Sequence, residues 1–180
     1  IDLGSPITDM ESSEELGQVV VGLRHAAAVV DSRLTILWNT QHAGLSSAVA
    51  YSSDGQIWVG LSTGGLWKCD LQHQKHVDVN IGSDIQALAV LDNSVIAAGV
   101  DGKITLVNDW GNVLGTDQVE TQVYDLCAVE GDVLVLSTAR GSTVIKPYPA
   151  ALRHNLDNQQ AQAARSTLET WEKLAKTRSK

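Results

Sequence analysis

Short runs of apolar and β-branched residues alternate with polar turns along most of the chain. In residues 85–108, the runs IQALAV, SVIAAGV and KITLVN are separated by the dipeptides Asp92-Asn93 and Asp101-Gly102. Dipeptides of this kind tolerate a positive φ and close tight hairpins whose twist matches that of the flanking strands. The pattern therefore predicts short antiparallel strands and an all-β fold.

The turns recur at a nearly constant spacing. The first turn of each copy begins 38 residues after the previous one, and the second turn follows at 38 or 39 residues. These turns begin at Asp54, Asp92 and Glu130, and at Thr63, Asp101 and Arg140. We place an earlier copy at RHAAAVVDSRLTILWN, with Asp31-Ser32 at the position of Asp101-Gly102. Polar fourth runs, KHVDVNIG and NVLGTDQV, follow the two middle copies. Four strands in a period near 40 residues are typical of one β-propeller blade.

The stretch DGQIWVGLSTGGLWKCD, residues 54–70, has the form DGxIWVGxxxGGLWxxD. It resembles the repeats of β-propeller proteins, most closely those of bacterial two-component sensors. The resemblance covers about residues 17–149. It is to the WD40-like superfamily in the loose sense, because the Gly-His and Trp-Asp dipeptides that mark WD40 repeats are absent. It implies a propeller fold and leaves the function open, because such repeats occur with many functions.

Four copies are visible, and two of them look incomplete. Only HAGL stands where the first copy should have its fourth strand, and Pro147 and Pro149 interrupt the last copy. An open set of four blades exposes sheet edges. We therefore expect further blades from missing sequence or from a partner. A closed ring of four blades and an ordinary β-sandwich are the alternatives.

Several residues have expected places in such blades. Trp58 and Trp67 are predicted to fill the wedge between neighbouring blades, rather than to anchor a partner at the surface. Small residues in the first two strands of each copy suit the narrow centre of a propeller. They are Ala48, Ala50, Ala87, Ala89, Ala97, Ala98 and Gly99.

The two ends of the chain differ from the repeats. Residues 1–16 are acidic and show no periodicity, so we expect a flexible arm; an added strand on an open blade is the alternative. Residues 150–180 are predicted to form a linker and an amphipathic C-terminal α-helix, with no Gly or Pro after Pro149. Its apolar stripe alternates spacings of 3 and 4 residues and includes Ala161, Ala164, Leu168, Trp171 and Ala175. We expect the helix to dock, either on this chain or on a partner.

Charge and composition argue against some functional classes. The net charge is −8, and residues 1–150 carry 18 acidic against 7 basic side chains, which argues against a nucleic-acid surface. No apolar run approaches the length of a membrane span. Cys69 and Cys127 lie in apolar runs and are predicted to be buried thiols, which favours an intracellular, cytoplasmic protein. The chain begins at Ile1, so we expect a processed chain or a fragment, and a removed signal peptide stays possible.

Candidate chemistry is sparse. His73 and His76 fall in LQHQKH without a third metal ligand at a suitable spacing, so we interpret them as exposed loop residues. Turns and strand ends explain the acids Asp54, Asp70, Asp92 and Asp101. No P-loop, GxSxG, HExxH or EF-hand motif occurs, and we expect no catalytic residues, cofactor or metal.

These observations favour a non-enzymatic protein-interaction or scaffold module, a subunit of a larger assembly with protein partners. Ala164, Leu168, Trp171 and Ala175 are the candidate partner-docking residues on the predicted helix. The alternative is a propeller enzyme or ligand-sensing domain with a central site built from loops.

Overall fold

The computed structural model describes residues 2–52, 54–70, 77–91, 94–129, 133–140 and 143–147. Within them, consecutive strands pair antiparallel in four sheets, which we call the first to fourth sheets. The first sheet contains β1 (Ile7–Ser13), β2 (Gln18–Leu23), β3 (Ala26–Asp31) and β4 (Ile36–Gln41). The second contains β5 (Ser46–Tyr51), β6 (Gln56–Leu61), β7 (Gly65–Asp70) and β8 (Val77–Asn80). The third contains β9 (Ile85–Leu91), β10 (Ser94–Gly99), β11 (Lys103–Asn108) and β12 (Val113–Gln118). The described part of the fourth contains β13 (Val123–Val129), β14 (Val133–Thr138) and β15 (Thr143–Pro147).

The repeat predicted from the turns is confirmed in the second and third sheets. Asp54-Gly55 lies between β5 and β6, and Asp101-Gly102 lies between β10 and β11. Each of these two sheets has four strands, and the polar fourth runs form β8 and β12. The all-β prediction is therefore confirmed for the described residues.

The first copy was predicted one strand out of register. Asp101-Gly102 joins the second and third strands of its sheet, whereas Asp31-Ser32 begins the connection from the third strand, β3, to the fourth. The true counterpart of Asp101-Gly102 is the turn at Arg24-His25, between β2 and β3. The first sheet consequently has a complete fourth strand, β4, and HAGL links it to the second sheet.

The flexible arm predicted over residues 1–16 is corrected for residues 7–13, which form β1. This strand pairs antiparallel with β2 from Ile7↔Leu23 to Ser13↔Gln18, as the first strand of its own sheet. Its sequence, ITDMESS, lacks the apolar character of a buried strand. Two of its polar side chains, Asp9 and Glu11, bind the backbone of the second sheet.

The sheets stack face to face, and three of the four apolar clusters lie between neighbouring sheets. Trp67 packs between the first and second sheets, and Trp58 packs between the second and third. Both side chains are buried, so the predicted wedge positions are confirmed. Ala48 and Ala50 of β5 are also buried, as expected for small residues where strands converge.

We call the first strand of each sheet, β1, β5, β9 and β13, its inner strand. The inner strands contact one another in chain order, β1 with β5, β5 with β9, and β9 with β13. Each ladder shifts register at a β-bulge near the start of the inner strand, at Thr8, Ser47, Gln86 and Tyr124. The same local geometry thus recurs in all four sheets, including the first.

The array of sheets has two unlike end faces. On the fourth sheet, the face turned away from the third carries exposed Cys127 and Ser137. Cys127 was predicted to be buried; it is exposed because no described sheet covers this face. The corresponding outer face of the first sheet is buried. The predicted C-terminal helix lies outside the described residues.

Candidate interaction surface

The connection between β11 and β12 is an ordered turn organised by Asn108. Its side-chain oxygen Oδ1 accepts hydrogen bonds from the backbone N–H groups of Trp110 at 3.1 Å and Asn112 at 2.9 Å. The Asn108 carbonyl accepts a third, from the N–H of Gly111 at 2.9 Å. An Asn side chain that bonds the backbone two residues ahead is a common way to fix a turn. We call residues 108–112 the Trp110 turn.

Gly111 packs this turn against the second sheet. Its φ of +82° lies in the left-handed region that favours glycine. A Cβ atom at this position would lie 2.4 Å from Cγ1 of Val77 and 3.0 Å from Cγ2 of Val79, both on β8. Glycine is therefore required twice here, by the backbone conformation and by the close approach to β8.

An ion pair adds a second connection to the second sheet. The Nζ atom of Lys68, on β7, lies 2.9 Å from Oδ1 of Asp109 and 3.3 Å from the Asp109 carbonyl. Lys68 is buried, and its ammonium lies 5.1 Å from the centre of the Trp58 ring. A cation at this distance from an aromatic face is attracted to it. The buried Lys68 thus fixes the position of the turn relative to the second sheet.

The indole of Trp110 extends from this turn into solvent. The residue is 81% exposed, the highest value among the exposed large apolar side chains of the described residues, and Val113 at the start of β12 is also exposed. The turn backbone is held by Asn108, and its neighbours Asp109 and Gly111 contact the second sheet. The arrangement therefore presents a large aromatic side chain from a rigid base.

The first sheet repeats the same turn between β3 and β4. Oδ1 of Asp31 accepts hydrogen bonds from the N–H groups of Arg33 at 2.9 Å and Thr35 at 2.8 Å, and the Leu34 N–H donates to the Asp31 carbonyl. These bonds, above all that from Thr35, lower the pKa of Asp31. Leu34, at the position of Gly111, is exposed and has a φ of 62°. Both turns therefore present an apolar side chain at the same end of the sheets.

A histidine and serine cluster lies at the opposite end. Nδ1 of His25 and Nδ1 of His42 each lie 3.0 Å from the Gly44 carbonyl, and Nε2 of His42 lies 2.8 Å from Oγ of Ser46. Because a carbonyl can only accept, Nδ1 of His42 carries the proton. The Ser46 hydroxyl, next to Nε2, also donates to the Ala26 carbonyl at 3.3 Å. Burial lowers the pKa of His42, which favours the neutral ring. The pair has the spacing of a base and nucleophile, but Ser46 is buried, so the contacts fix the loop between β4 and β5.

Two carboxylates of β1 face the inner strand of the second sheet. Oδ2 of Asp9 accepts from the Val49 N–H at 2.8 Å, and Oε2 of Glu11 accepts from the Tyr51 N–H at 2.9 Å. Burial raises the pKa of Glu11 to about 7, against the opposing effect of the Tyr51 hydrogen bond; the charges of Asp9 and Asp125 add smaller increases. The contribution of Asp125, on β13, indicates that the last inner strand lies within electrostatic range of the first.

The predicted site residues lie outside the described residues. These are Ala164, Leu168, Trp171 and Ala175 of the predicted helix. The histidines His73 and His76, which were interpreted as exposed loop residues and not as a site, also lie outside the described residues. Trp110 was not selected from the sequence. The signal was the segment NDWGN, in which Asn followed three residues later by Gly is typical of a tight turn.

The described residues contain neither a metal-binding cluster nor a membrane-spanning helix. No group of three or more His, Cys, Asp or Glu side chains is placed to bind a metal ion there. In the same part of the chain, no helix has the length and apolar character needed to cross a membrane.

Comparison with known proteins gives a fold but no family. No family model matches the sequence, and no curated protein matches it. Among solved structures, the computationally designed Ika4 protein superposes with a TM-score of 0.66 at 21% identity, over 81% of this chain and 92% of that one. BBS1N, in a complex with ARL6DN soaked with lead, superposes with a TM-score of 0.69 at 13% identity, over 81% of this chain. The fold is β-propeller-like.

The likeness to BBS1N covers only part of that protein. This chain spans 49% of the BBS1N chain in the lead-soaked crystal and 53% in a mercury-soaked crystal of the same complex. At these identities the superpositions describe the fold alone.

Proposed function

We propose that this chain is a non-catalytic protein-interaction module that acts as a subunit of a larger assembly, and that the Trp110 turn is a contact surface for a protein partner. The observation that carries the proposal is the 81% exposure of Trp110 on a turn fixed to the interior. Tryptophan is enriched among the few residues that dominate binding energy at protein interfaces. A rigid base reduces the conformational entropy that binding must otherwise remove.

The similarity to BBS1N supports this proposal at the level of the fold. BBS1N is a structure of the same general type, and it was crystallised with a second protein, ARL6DN. A propeller-like body therefore occurs in a complex with a protein partner.

The alternative is an enzyme or ligand-sensing domain with a central site built from loops. Such a site needs polar groups near the inner strands that are available to a ligand. Asp9 and Glu11 lie there, but each already accepts a hydrogen bond from the backbone of β5. Their described role is structural, and we therefore favour the interaction module.

The test compares three forms of the full chain, immobilised and exposed to an extract of the source cells. They are the wild type, Trp110→Ala and Tyr124→Ala. Tyr124 is a suitable control because it is also an exposed aromatic residue, at the end of the sheets opposite the Trp110 turn. We expect a protein that is retained by the wild type and Tyr124→Ala and is lost with Trp110→Ala. Equal capture by all three forms contradicts the role of Trp110.

A further inference from the structure

The outer face of the first sheet, turned away from the second sheet, is buried although no other described sheet packs on it. Val21, Leu23, Ala28 and Val30 are between 1% and 6% exposed. The partly buried apolar residues packed against them are Leu3, Val19 and Ala26, from the same sheet and the residues just before it. Valine on an uncovered sheet face stays substantially exposed, so the burial of this face calls for a cover that the four described sheets do not supply.

The buried area is a strip along β2 and β3. On either side of it, Met10 of β1 pairs with Val21 and is 59% exposed, and Ile36 of β4 pairs with Val30 and is also exposed. Two neighbouring strands lie about 4.8 Å apart, and a helix with its side chains is about 10 Å across. The width of the strip therefore suits a single helix lying along β2 and β3, and is too narrow for another four-stranded sheet.

We propose that the C-terminal segment 150–180 covers this strip, with the predicted helix placing Leu168 and Trp171 against β2 and β3. The segment has the right length, because about 19 residues of helix extend about 28 Å. A strand of six residues extends about 20 Å. Its apolar stripe is thin and needs a surface to be stable, since short isolated helices are marginal in water.

Charge complementarity gives the direction of the helix. Exposed Glu14 and Glu15 lie in the turn between β1 and β2, and Asp31 ends β3, so all three acids are at one end of the strip. The basic residues of the segment are concentrated towards its C-terminus, at Lys173, Lys176, Arg178 and Lys180. We therefore place the C-terminal end of the helix beside these acids.

The position of the fourth sheet also supports this assignment. Asp125 on β13 is close enough to Glu11 on β1 to raise its pKa slightly, so the start of the fourth sheet, which precedes the C-terminal segment in the chain, lies near the first sheet. Residues 148–157 can extend at most about 33–36 Å, which exceeds the roughly 20 Å length of one six-residue strand.

The test uses a photo-crosslinking residue in the full chain. Trp171→p-benzoylphenylalanine keeps an aromatic side chain on the apolar stripe, and Leu168→p-benzoylphenylalanine is a second site in case the first variant does not fold. Ser166→p-benzoylphenylalanine, on the opposite helix face, is the matched control. Irradiated protein is analysed by gel mobility and by mass spectrometry of its peptides, with isotope-mixed chains to separate crosslinks within and between molecules.

We expect crosslinks within one molecule from residue 171 or 168 to peptides that contain residues 18–31, and at least tenfold fewer from residue 166. Crosslinks between two copies would assign the strip to a second copy of this chain. Crosslinks from 171 and 168 to any other sheet, or equal yields from 166, would overturn the proposal.

Discussion

Glu11 on β1 and Tyr51 on β5 are joined by a 2.9 Å hydrogen bond, in which the Tyr51 N–H donates to the Glu11 carboxylate. Asp9 does the same for Val49 at 2.8 Å. β5 is an edge strand, so alternate N–H groups on its open side lack a neighbouring strand. Asp9 and Glu11 of the first sheet accept hydrogen bonds from two of these N–H groups. This explains why a polar segment forms the inner strand β1.

The pH dependence of stability tests the burial of Glu11 at this contact. The pKa of Glu11 is raised from its usual 4.5 to about 7, chiefly by burial, so the folded protein binds this proton more tightly than the unfolded chain. The resulting stabilisation is full below pH 4.5 and is lost as the pH rises through about 7; its size is about 3 kcal/mol. We expect Glu11→Gln, which cannot ionise, to gain about this much relative to the wild type between pH 4.5 and 8 in urea unfolding.

Glu14→Gln is the control for this experiment, because Glu14 is an exposed carboxylate in the neighbouring turn. Its unfolding free energy should follow that of the wild type across the same pH range. If the Glu11→Gln and wild-type curves stay parallel, the carboxylate of Glu11 does not change its protonation in the way described.

The close packing of the Trp110 turn on β8 predicts a large effect of Gly111→Ala. The left-handed conformation costs a non-glycine residue about 1–2 kcal/mol, and overpacking against Val77 adds about 1–3 kcal/mol. Gly17→Ala is the matched control, since its φ is +61° and a Cβ there meets nothing within 4 Å. Chemical denaturation should show the larger loss for Gly111→Ala; equal losses would mean that the turn does not pack on β8.

The Lys68–Asp109 pair should couple the second and third sheets. We expect a double-mutant cycle with Lys68→Met and Asp109→Asn to give a coupling energy of about 1–2 kcal/mol. Because Lys68 is buried, added salt should change this coupling little. A coupling near zero, or one that disappears at about 0.5 M salt as it would for an exposed pair, contradicts the geometry.

Two tryptophans with opposite burial predict opposite responses to truncation. Trp58 is 1% exposed between the second and third sheets, so Trp58→Ala should cost about 3–5 kcal/mol of unfolding free energy. Trp110→Ala should change it by less than about 0.5 kcal/mol, because an exposed side chain has little packing to lose. Thermal and urea unfolding of both variants measure this. Similar losses would mean that Trp110 packs on the protein.

The sequence predicted the middle of the molecule well because its turns are local. Asp54-Gly55 and Asp101-Gly102 have the conformational preferences of tight turns wherever they occur, and the apolar runs between them are long enough for buried strands. The wedge positions of Trp58 and Trp67 followed from the repeat. No contact between distant residues was needed for these predictions.

The errors arose where tertiary contacts override local pattern. β1 carries Asp9 and Glu11 because they bind β5, and no local rule identifies such a segment as a strand. Because β1 was not predicted as a strand, the first copy was placed one strand out of register. Cys127 has an apolar neighbourhood in sequence, yet it lies on a face that no described sheet covers. Trp110 and Trp58 are the same residue type, and only the packing of the sheets distinguishes the exposed one from the buried one.

The most direct measurement of the proposed role is the affinity of the partner identified by capture, determined by titration calorimetry with the purified full chain. The wild type and Tyr124→Ala should bind with the same dissociation constant. Trp110→Ala should bind at least about 30-fold more weakly, the effect of losing a hot-spot residue worth about 2 kcal/mol or more. A dissociation constant for Trp110→Ala equal to that of the wild type would contradict the assignment of the Trp110 turn as the contact surface.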